Sequence, residues 1–478
     1  MRFNKIYILI ICLFWASSCE VIGSINGIKP EGVVTDETLI SDAPSANVAL
    51  AGVYKSWRSY DISIFRNLTN LFTKTQIFTT IMGEQSFRFN DVLIDNQPLE
   101  KYYTSLYYVV NSANTFIANL EGKNIVGISQ QLEQEMLAQA KFHRALANLM
   151  LLRTFGEFYD VNSSYGIVLN LEPVRSNNAK ARASVADCYK SIQSDLDYAS
   201  KKAPETSVGA YFITRTTAHA LKARVALYMQ DYANAAQYAK DALSAANVSG
   251  NLLEENYSDI YKGVYTSKEL LFAPYTINPE QVLMSLWTPF SMGATGEGLK
   301  GVAAELVAQP GVEPDLITGL GYDSRFAQIF ALMNQTGTNG INKYLKDNFT
   351  LGQASNTYYF IRLAEVYLIE AEAEARLGNF DKAREAFRTV ALRAGYTNEY
   401  VDGISNDNFL ITLLKHKYVE LTCENNEDWF DLIRFTVVDK IDPVQMGMAV
   451  SMKRLMLPIP KNAMAGNNML VQNKGYEN

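Results

Sequence analysis

The chain has 478 residues, 48% of them hydrophobic and 19% charged, with a formal net charge of -7. It is long enough to bury a large core, and its interspersed charges exclude the clustered cationic face that a nucleic-acid partner needs. After the first residues no uncharged stretch approaches the roughly 20 apolar residues of a membrane-spanning helix, which argues against a helix-spanning channel or transporter subunit.

Arg2 and Lys5 precede an apolar run from Ile6 to Trp15, and small residues lead from there into Cys19. This is the layout of an export signal. The segment Ala16-Ser17-Ser18-Cys19 resembles the bacterial lipobox, which implies removal of residues 1–18 and lipid attachment at Cys19. A single acyl chain holds a protein marginally, and two or more hold it stably. Residues 19–43, rich in Gly, Ile, Pro and Thr, read as a tether, and 44–478 as the body. Cys12 leaves with the signal, so Cys188 and Cys423 remain, both in helix-like apolar patterns. Buried thiols are the expectation, with a bond between them left open.

Helical signals dominate the body. Asp42 or Ser45 caps a helix through Trp57, and further amphipathic runs cover Glu100 to Leu120 and Gln131 to Arg153. Two helical hairpins share one spacing. Tyr232 is followed by Ala235, Tyr238, Ala239, Ala242 and Leu243; Phe380 is followed by Ala383, Ala386, Phe387, Val390 and Ala391. Small residues let two helices approach while the aromatic fills the groove beside the turn, the logic of a tetratricopeptide pair. The pairs stand far apart in the chain, so they are either interleaved with other material or brought together in space. The predicted fold is mainly α, a right-handed frame of tetratricopeptide-like pairs (44–58, 100–250 and 357–435) carrying loop-rich portions (59–99, 250–356 and 436–478). Short β-like runs such as Val282 to Trp287 fall in those portions, where recognition usually resides.

Several segments together resemble the SusD/RagB family. They are Phe360 to Ala373 with Leu377-Gly378-Asn379 and Leu392 to Tyr396, then Lys417 to Leu421 with Glu424 to Phe435, then Leu457-Pro458-Ile459-Pro460 with Gln472 to Tyr476. Upstream, Ala138 to Gly156, Val185 to Ala199 and Thr217 to Leu243 resemble the family's helices in order. Two departures stand out. Glu427 or Asp428 occupies the place of a favoured Arg, and Lys415-His416-Lys417 stands where the family has Glu-Arg, which puts a local salt-bridge arrangement in question. The resemblance implies a nutrient-binding lipoprotein, displayed on the outer membrane, that caps a SusC-like TonB-dependent transporter and binds a ligand without altering it. Glycans are the usual ligands; some relatives serve peptides.

Enzymatic signals are absent from the sequence. His143, His219 and His416 stand singly in helical runs without a metal-ligand partner, so neither a metal nor a cofactor is expected. Gly296 to Gly301 matches G-x-G-x-x-G but lacks the βαβ period of a nucleotide site, and Glu370 with Glu374 reads as a solvated helix face. Binding an oligosaccharide instead calls for aromatic faces and directional polar groups. Of the four tryptophans, Trp15 goes with the signal, Trp57 lies on an amphipathic helix and Trp429 reads as core. Trp287, near Tyr275 and Phe290, is the candidate stacking platform, with a lid over the core as its equal alternative. Arg88, Asn90 and Asp91 are the candidate hydrogen-bonding groups, though surface charge explains them as well. A different class, a tetratricopeptide-like scaffold for a protein tail, would need a concave polar face, which scattered repeats do not favour.

Overall fold

Helix α1 (Ala43–Lys55) starts at Asp42, whose carboxylate accepts from the Ser45 N–H at 2.8 Å while the Ser45 oxygen accepts from the Asp42 N–H at 3.0 Å. This reciprocal cap satisfies two otherwise orphaned donors. The computed structural model describes residues 39–73, 84–176, 178–276, 302, 306, 323–333, 338–341, 357–442 and 454–476. Within them follow α2 (Tyr60–Thr69), α3 (Glu84–Arg88), α4 (Gln97–Leu120), α5 (Gln130–Phe155), α6 (Val185–Lys202), α7 (Arg215–Tyr228) and α8 (Tyr232–Ser249). After α9 (Asp259–Gly263), β1 (Leu270–Phe272), α10 (Arg325–Ile329), β2 (Phe330–Met333) and β3 (Thr338–Ile341), the chain returns through β4 (Ile361–Arg362). It ends in α11 (Leu363–Arg376), α12 (Phe380–Arg393), α13 (Asn398–Gly403), α14 (Asn406–Leu421), α15 (Glu427–Asp439) and α16 (Lys461–Gly466).

The fold is mainly helical, and each long helix packs on the next: α4 on α5, α5 on α6, α6 on α7, α7 on α8. The series then passes from α8 directly to α11 and on to α12, although residues 250–362 separate α8 from α11. The two predicted hairpins are thus brought together in space. Ala235, Ala239 and Ala242 on α8 are fully buried, as are Ala383, Phe387, Val390 and Ala391 on α12, so the small-residue faces are the packing faces. Each hairpin turn needs a left-handed residue. Gly378 (φ 80°) supplies one at no steric cost, and Gln230 (φ 61°) supplies the other. Irregular chain was expected for 59–99, yet α2 forms there because Ile62, Phe65 and Leu68 place one apolar face on the core. The described sheet structure is small: β1 pairs antiparallel with β4, and β2 with β3.

Charged groups inside the frame tie its later helices together. Fully buried Glu372 on α11 accepts from both ends of the Arg434 guanidinium (2.7 and 2.9 Å) and from Lys417 (2.7 Å), which also reaches Asp431 at 2.7 Å. Lys417, in the stretch where the sequence put a salt-bridge arrangement in question, is thus a member of a buried charge network. Burial alone would raise the Glu372 carboxyl, but Arg434, Lys417 and Arg376 outweigh it and hold the group well below the ordinary carboxylate range. Glu427, the other departure, pairs with Arg153 at 2.6 Å and accepts from Tyr228 at 2.7 Å. Nor is Glu374 on a solvated face. It is buried, accepts from the Asn379 amide at 2.8 Å and pairs with Lys240, joining α11 to α8, because the helix-pair stacking covers what a lone helix would expose.

Candidate functional site

The chain leaves β1 through Ala273, Pro274 and Tyr275, and its path there is fixed by one side chain. Tyr265 donates its hydroxyl hydrogen to the Pro274 carbonyl at 2.7 Å and accepts from the Thr276 N–H at 2.9 Å. Burial pushes the Tyr265 hydroxyl above its ordinary range, which keeps it a neutral donor. A neighbouring segment is laid alongside by Ala273 N–H donating to Ala210 at 2.9 Å, and by Ile213 N–H donating to the Tyr54 hydroxyl at 3.1 Å. Four aromatic rings converge as a result. Tyr275 lies 4.8 Å from Tyr211 and 5.3 Å from Tyr265 between ring centroids, and Phe212 lies 4.9 Å from Tyr211. Tyr275 is 46% exposed and Phe212 37%, so the cluster is partly open to water while Phe212 also rests on Tyr54. Exposed aromatic clusters on a rigid frame are recognition surfaces more often than core. The predicted Tyr275 is in this cluster; Tyr211 and Phe212 went unnoticed in the sequence, where the dipeptide Tyr211-Phe212 after Gly209 was the available signal.

Trp287 and Phe290 lie outside the described residues, as do Cys19, the β-like run 282–287 and the glycine run 296–301. The second predicted group divides. Arg88 and Asp91 are exposed, and Asp91 pairs with Arg454. Asn90 is buried, in a left-handed turn (φ 50°), and its amide donates to the Arg454 carbonyl at 3.3 Å. Its side chain shapes the loop rather than facing solvent, because Asn is among the few residues that accept this backbone conformation. Phe89 beside it is 65% exposed, with the Arg88 guanidinium 5.8 Å from its ring centroid, and is the aromatic that sequence reasoning passed over. The described contacts join Tyr275 to Tyr211 and Tyr265, and Asp91 to Arg454, as two separate groupings.

The remaining predicted residues are structural. Trp57 and Trp429 are buried, and the Trp57 indole donates to His143 Nδ1 at 3.0 Å. Burial lowers the His143 ring to about 3, so it stays neutral. His416 takes a hydrogen bond with Tyr400 at 3.0 Å and is held low by burial and Arg325. Among the described residues no group of three or more His, Cys, Asp or Glu is placed to hold a metal ion. Cys188 and Cys423 are both buried, and no disulfide joins them.

Two hollows flank α4. One, of about 560 Å³, lies between Tyr103 and Tyr107 of α4, the irregular residues 168–176 and 178–180, and α16. The other, of about 600 Å³, is lined by Lys55, Arg58, Lys101 and Tyr108; Glu100 and Thr104 line both.

Comparison with known proteins matches residues 321–476 to a family model described as the SusD family, and residues 39–227 to one described as starch-binding associating with outer membrane. SusD-like protein P2 of Formosa agariphila is 21% identical over 425 residues, covering 80% of this chain and 81% of that one. Among solved structures, a putative sugar binding protein from Bacteroides vulgatus superposes with a TM-score of 0.74 at 22% identity, covering 92% of this chain and all of the other. A laminarin binding SusD-like protein gives a TM-score of 0.67 at 20% identity, covering 91% of this chain.

Proposed function

Because the chain belongs to the SusD family, matched at both its amino-terminal and carboxyl-terminal parts, we propose that it is a surface lipoprotein of the outer membrane that binds oligosaccharide nutrients. It delivers them, chemically unaltered, to a SusC-like TonB-dependent transporter. The anchor in this reading is a lipid on Cys19. The family's description as starch-binding and associating with the outer membrane supports both the ligand class and the location. So does the similarity to a protein named for binding laminarin.

The observation that carries the reading is the partly exposed cluster of Tyr275, Tyr211 and Phe212, held by hydrogen bonds to a buried frame. Sugar rings have an apolar face that stacks on such surfaces, and a preformed cluster avoids the entropy of ordering them at each binding event. Trp287 and Phe290, a few residues further along, and Arg88 with Asp91 complete the binding surface in this proposal, with Asn90 shaping the loop that carries the latter two. Titrating the purified protein with an oligosaccharide panel tests it: saturable binding without release of shorter sugars supports the reading, and hydrolysis of a bound glycan defeats its non-enzymatic part. Copurification with a large β-barrel from native membranes tests the transporter partnership.

A further inference from the structure

The 560 Å³ cleft beside α4 has the construction of a recognition site of its own. Tyr103 and Tyr107 stand one turn apart on α4, with ring centroids 4.8 Å apart and planes at 57°, and form one wall. Tyr107 is locked by donating its hydroxyl hydrogen to the Val168 carbonyl at 3.1 Å. The facing wall, residues 168–176 and 178–180, is neither helix nor strand, and such a segment would ordinarily be mobile. Here it is held from behind at several residues. The buried Asn114 amide donates to the carbonyls of Asn170 (2.8 Å) and Glu172 (3.0 Å), Arg144 donates to that of Leu171 (3.2 Å), and Asn111 accepts the Val174 N–H at 2.7 Å. At its far end Asn467 accepts from the Lys180 N–H (3.2 Å) and donates to the Lys180 carbonyl (2.7 Å). Side chains from three other parts of the chain thus fix one irregular wall in one shape, which is the preorganisation that a binding surface requires.

The chemistry of the lining selects the ligand. Glu100 and Glu172 oppose Arg175 and Lys180, so the cleft has no net charge with which to choose an ion. It combines tyrosine rings with the amides and hydroxyls of Asn178, Asn462 and Ser176. Rings with one apolar face and a rim of hydroxyls match that combination, and the volume lies within the roughly 300–1,000 Å³ of small-molecule sites. An extended peptide would instead need a row of free main-chain groups, and the carbonyls of 170–172 are already taken by Asn114 and Arg144. We propose that this cleft is a second saccharide site, for a short uncharged oligosaccharide, sharing no residue with the Tyr275 cluster. It rests on the glycan-binding reading for its ligand class alone.

The test is calorimetric titration of the purified protein with uncharged malto-, laminari-, cello- and xylo-oligosaccharides, from trisaccharide to hexasaccharide. Thr104→Trp, on the exposed side of α4, closes the mouth of the cleft; Glu172→Ala with Asn178→Ala, both exposed, strips its rim without touching the core. The expected result is that each change weakens binding of one class of site at least tenfold with Tm unaltered, while Tyr275→Ala leaves that class in place. Sugar binding abolished by Tyr275→Ala and indifferent to the cleft variants overturns the second site alone. Absence of binding by every sugar overturns it together with the proposed function.

Discussion

Tyr211 and Tyr275 come from opposite sides of the α7–α8 hairpin in the sequence and meet with ring centroids 4.8 Å apart at 55°. Neither ring needs this contact to complete the core, since Tyr275 remains 46% exposed. Tyr275→Ala should therefore weaken oligosaccharide binding by about tenfold, equivalent to roughly 1.4 kcal/mol, while leaving thermal stability nearly untouched. Calorimetric titration alongside a melting curve reads both. A fall in Tm without a fall in affinity would make the cluster a structural lid.

Removing one partner from a buried charge network strands the others. Glu372→Ala leaves Arg434 and Lys417 with Asp431 as the one carboxylate they still share and takes a partner from Arg376, and a loss of about 3–5 kcal/mol is expected. The exposed pair of Arg388 and Asp402 is the control: Asp402→Ala should cost less than about 1 kcal/mol. Urea midpoints of the two variants, compared with the parent, give the contrast.

Acid should unfold the protein through these same groups. Glu372 and Glu427 are both depressed in the folded state, so their stabilisation is fully present above the ordinary carboxylate value of 4.5 and disappears as pH falls through their lower folded values. His143 works over a higher window. Its folded value of about 3 lies below the ordinary 6.5, so stability declines as pH drops from 6.5 towards 3 because only the unfolded chain takes up that proton. Glu269 is raised by burial and acts in the opposite sense to the two depressed acids. Glu365, raised by burial to about 7, opposes His143 over the upper window, so unfolding free energy should fall on acidification below the ordinary carboxylate value, where Glu372→Gln should flatten the curve. A parent curve that stays level from neutral pH to below the carboxylate range contradicts this assignment.

Trp57→Phe keeps most of the buried ring but deprives His143 Nδ1 of its donor. The expected cost is about 1–3 kcal/mol for an unsatisfied buried acceptor. Trp57→Phe combined with His143→Leu should recover part of it, which a double-mutant cycle reports directly.

If Cys19 carries the lipid, Cys19→Ser should move the protein from the membrane fraction to the soluble one and abolish incorporation of labelled palmitate. Unchanged labelling would place the attachment elsewhere.

The frame was legible because its message is local. Alanine spacing on α8 and α12 repeats within a few turns, and Asp42 caps the helix it precedes. The α2 helix escaped notice because Arg66 and Asn67 interrupt its apolar run, and β1 and β4 are too short to carry a pattern. Burial of charge was illegible for a different reason: Glu372 and Arg434 find each other only after α11 and α15 have packed, and neither sequence neighbourhood names the other. The same holds for the aromatic cluster, where Tyr275 was visible beside Trp287 but its partners Tyr211 and Phe212 arrive from another part of the chain. Asn90 had the composition of a ligand-facing residue and turned out to serve backbone geometry instead.

At the β1–β4 pair the Phe360 N–H donates to the Phe272 carbonyl at 3.0 Å, so the outgoing and returning strands stand side by side. The described residues of the excursion that leaves through β1 and returns through β4 are themselves keyed into the frame: Arg325 pairs with Glu420 at 3.2 Å, and the Tyr358 hydroxyl donates to the Trp57 carbonyl at 2.9 Å. α8 packs directly on α11 across this insertion, and lengthening an excursion twofold adds only about 0.6 kcal/mol of closure entropy. Variation in length can accumulate between such anchoring points at little thermodynamic penalty, whereas a transplant of the whole excursion between relatives has to carry the partners of Arg325 and Tyr358 with it.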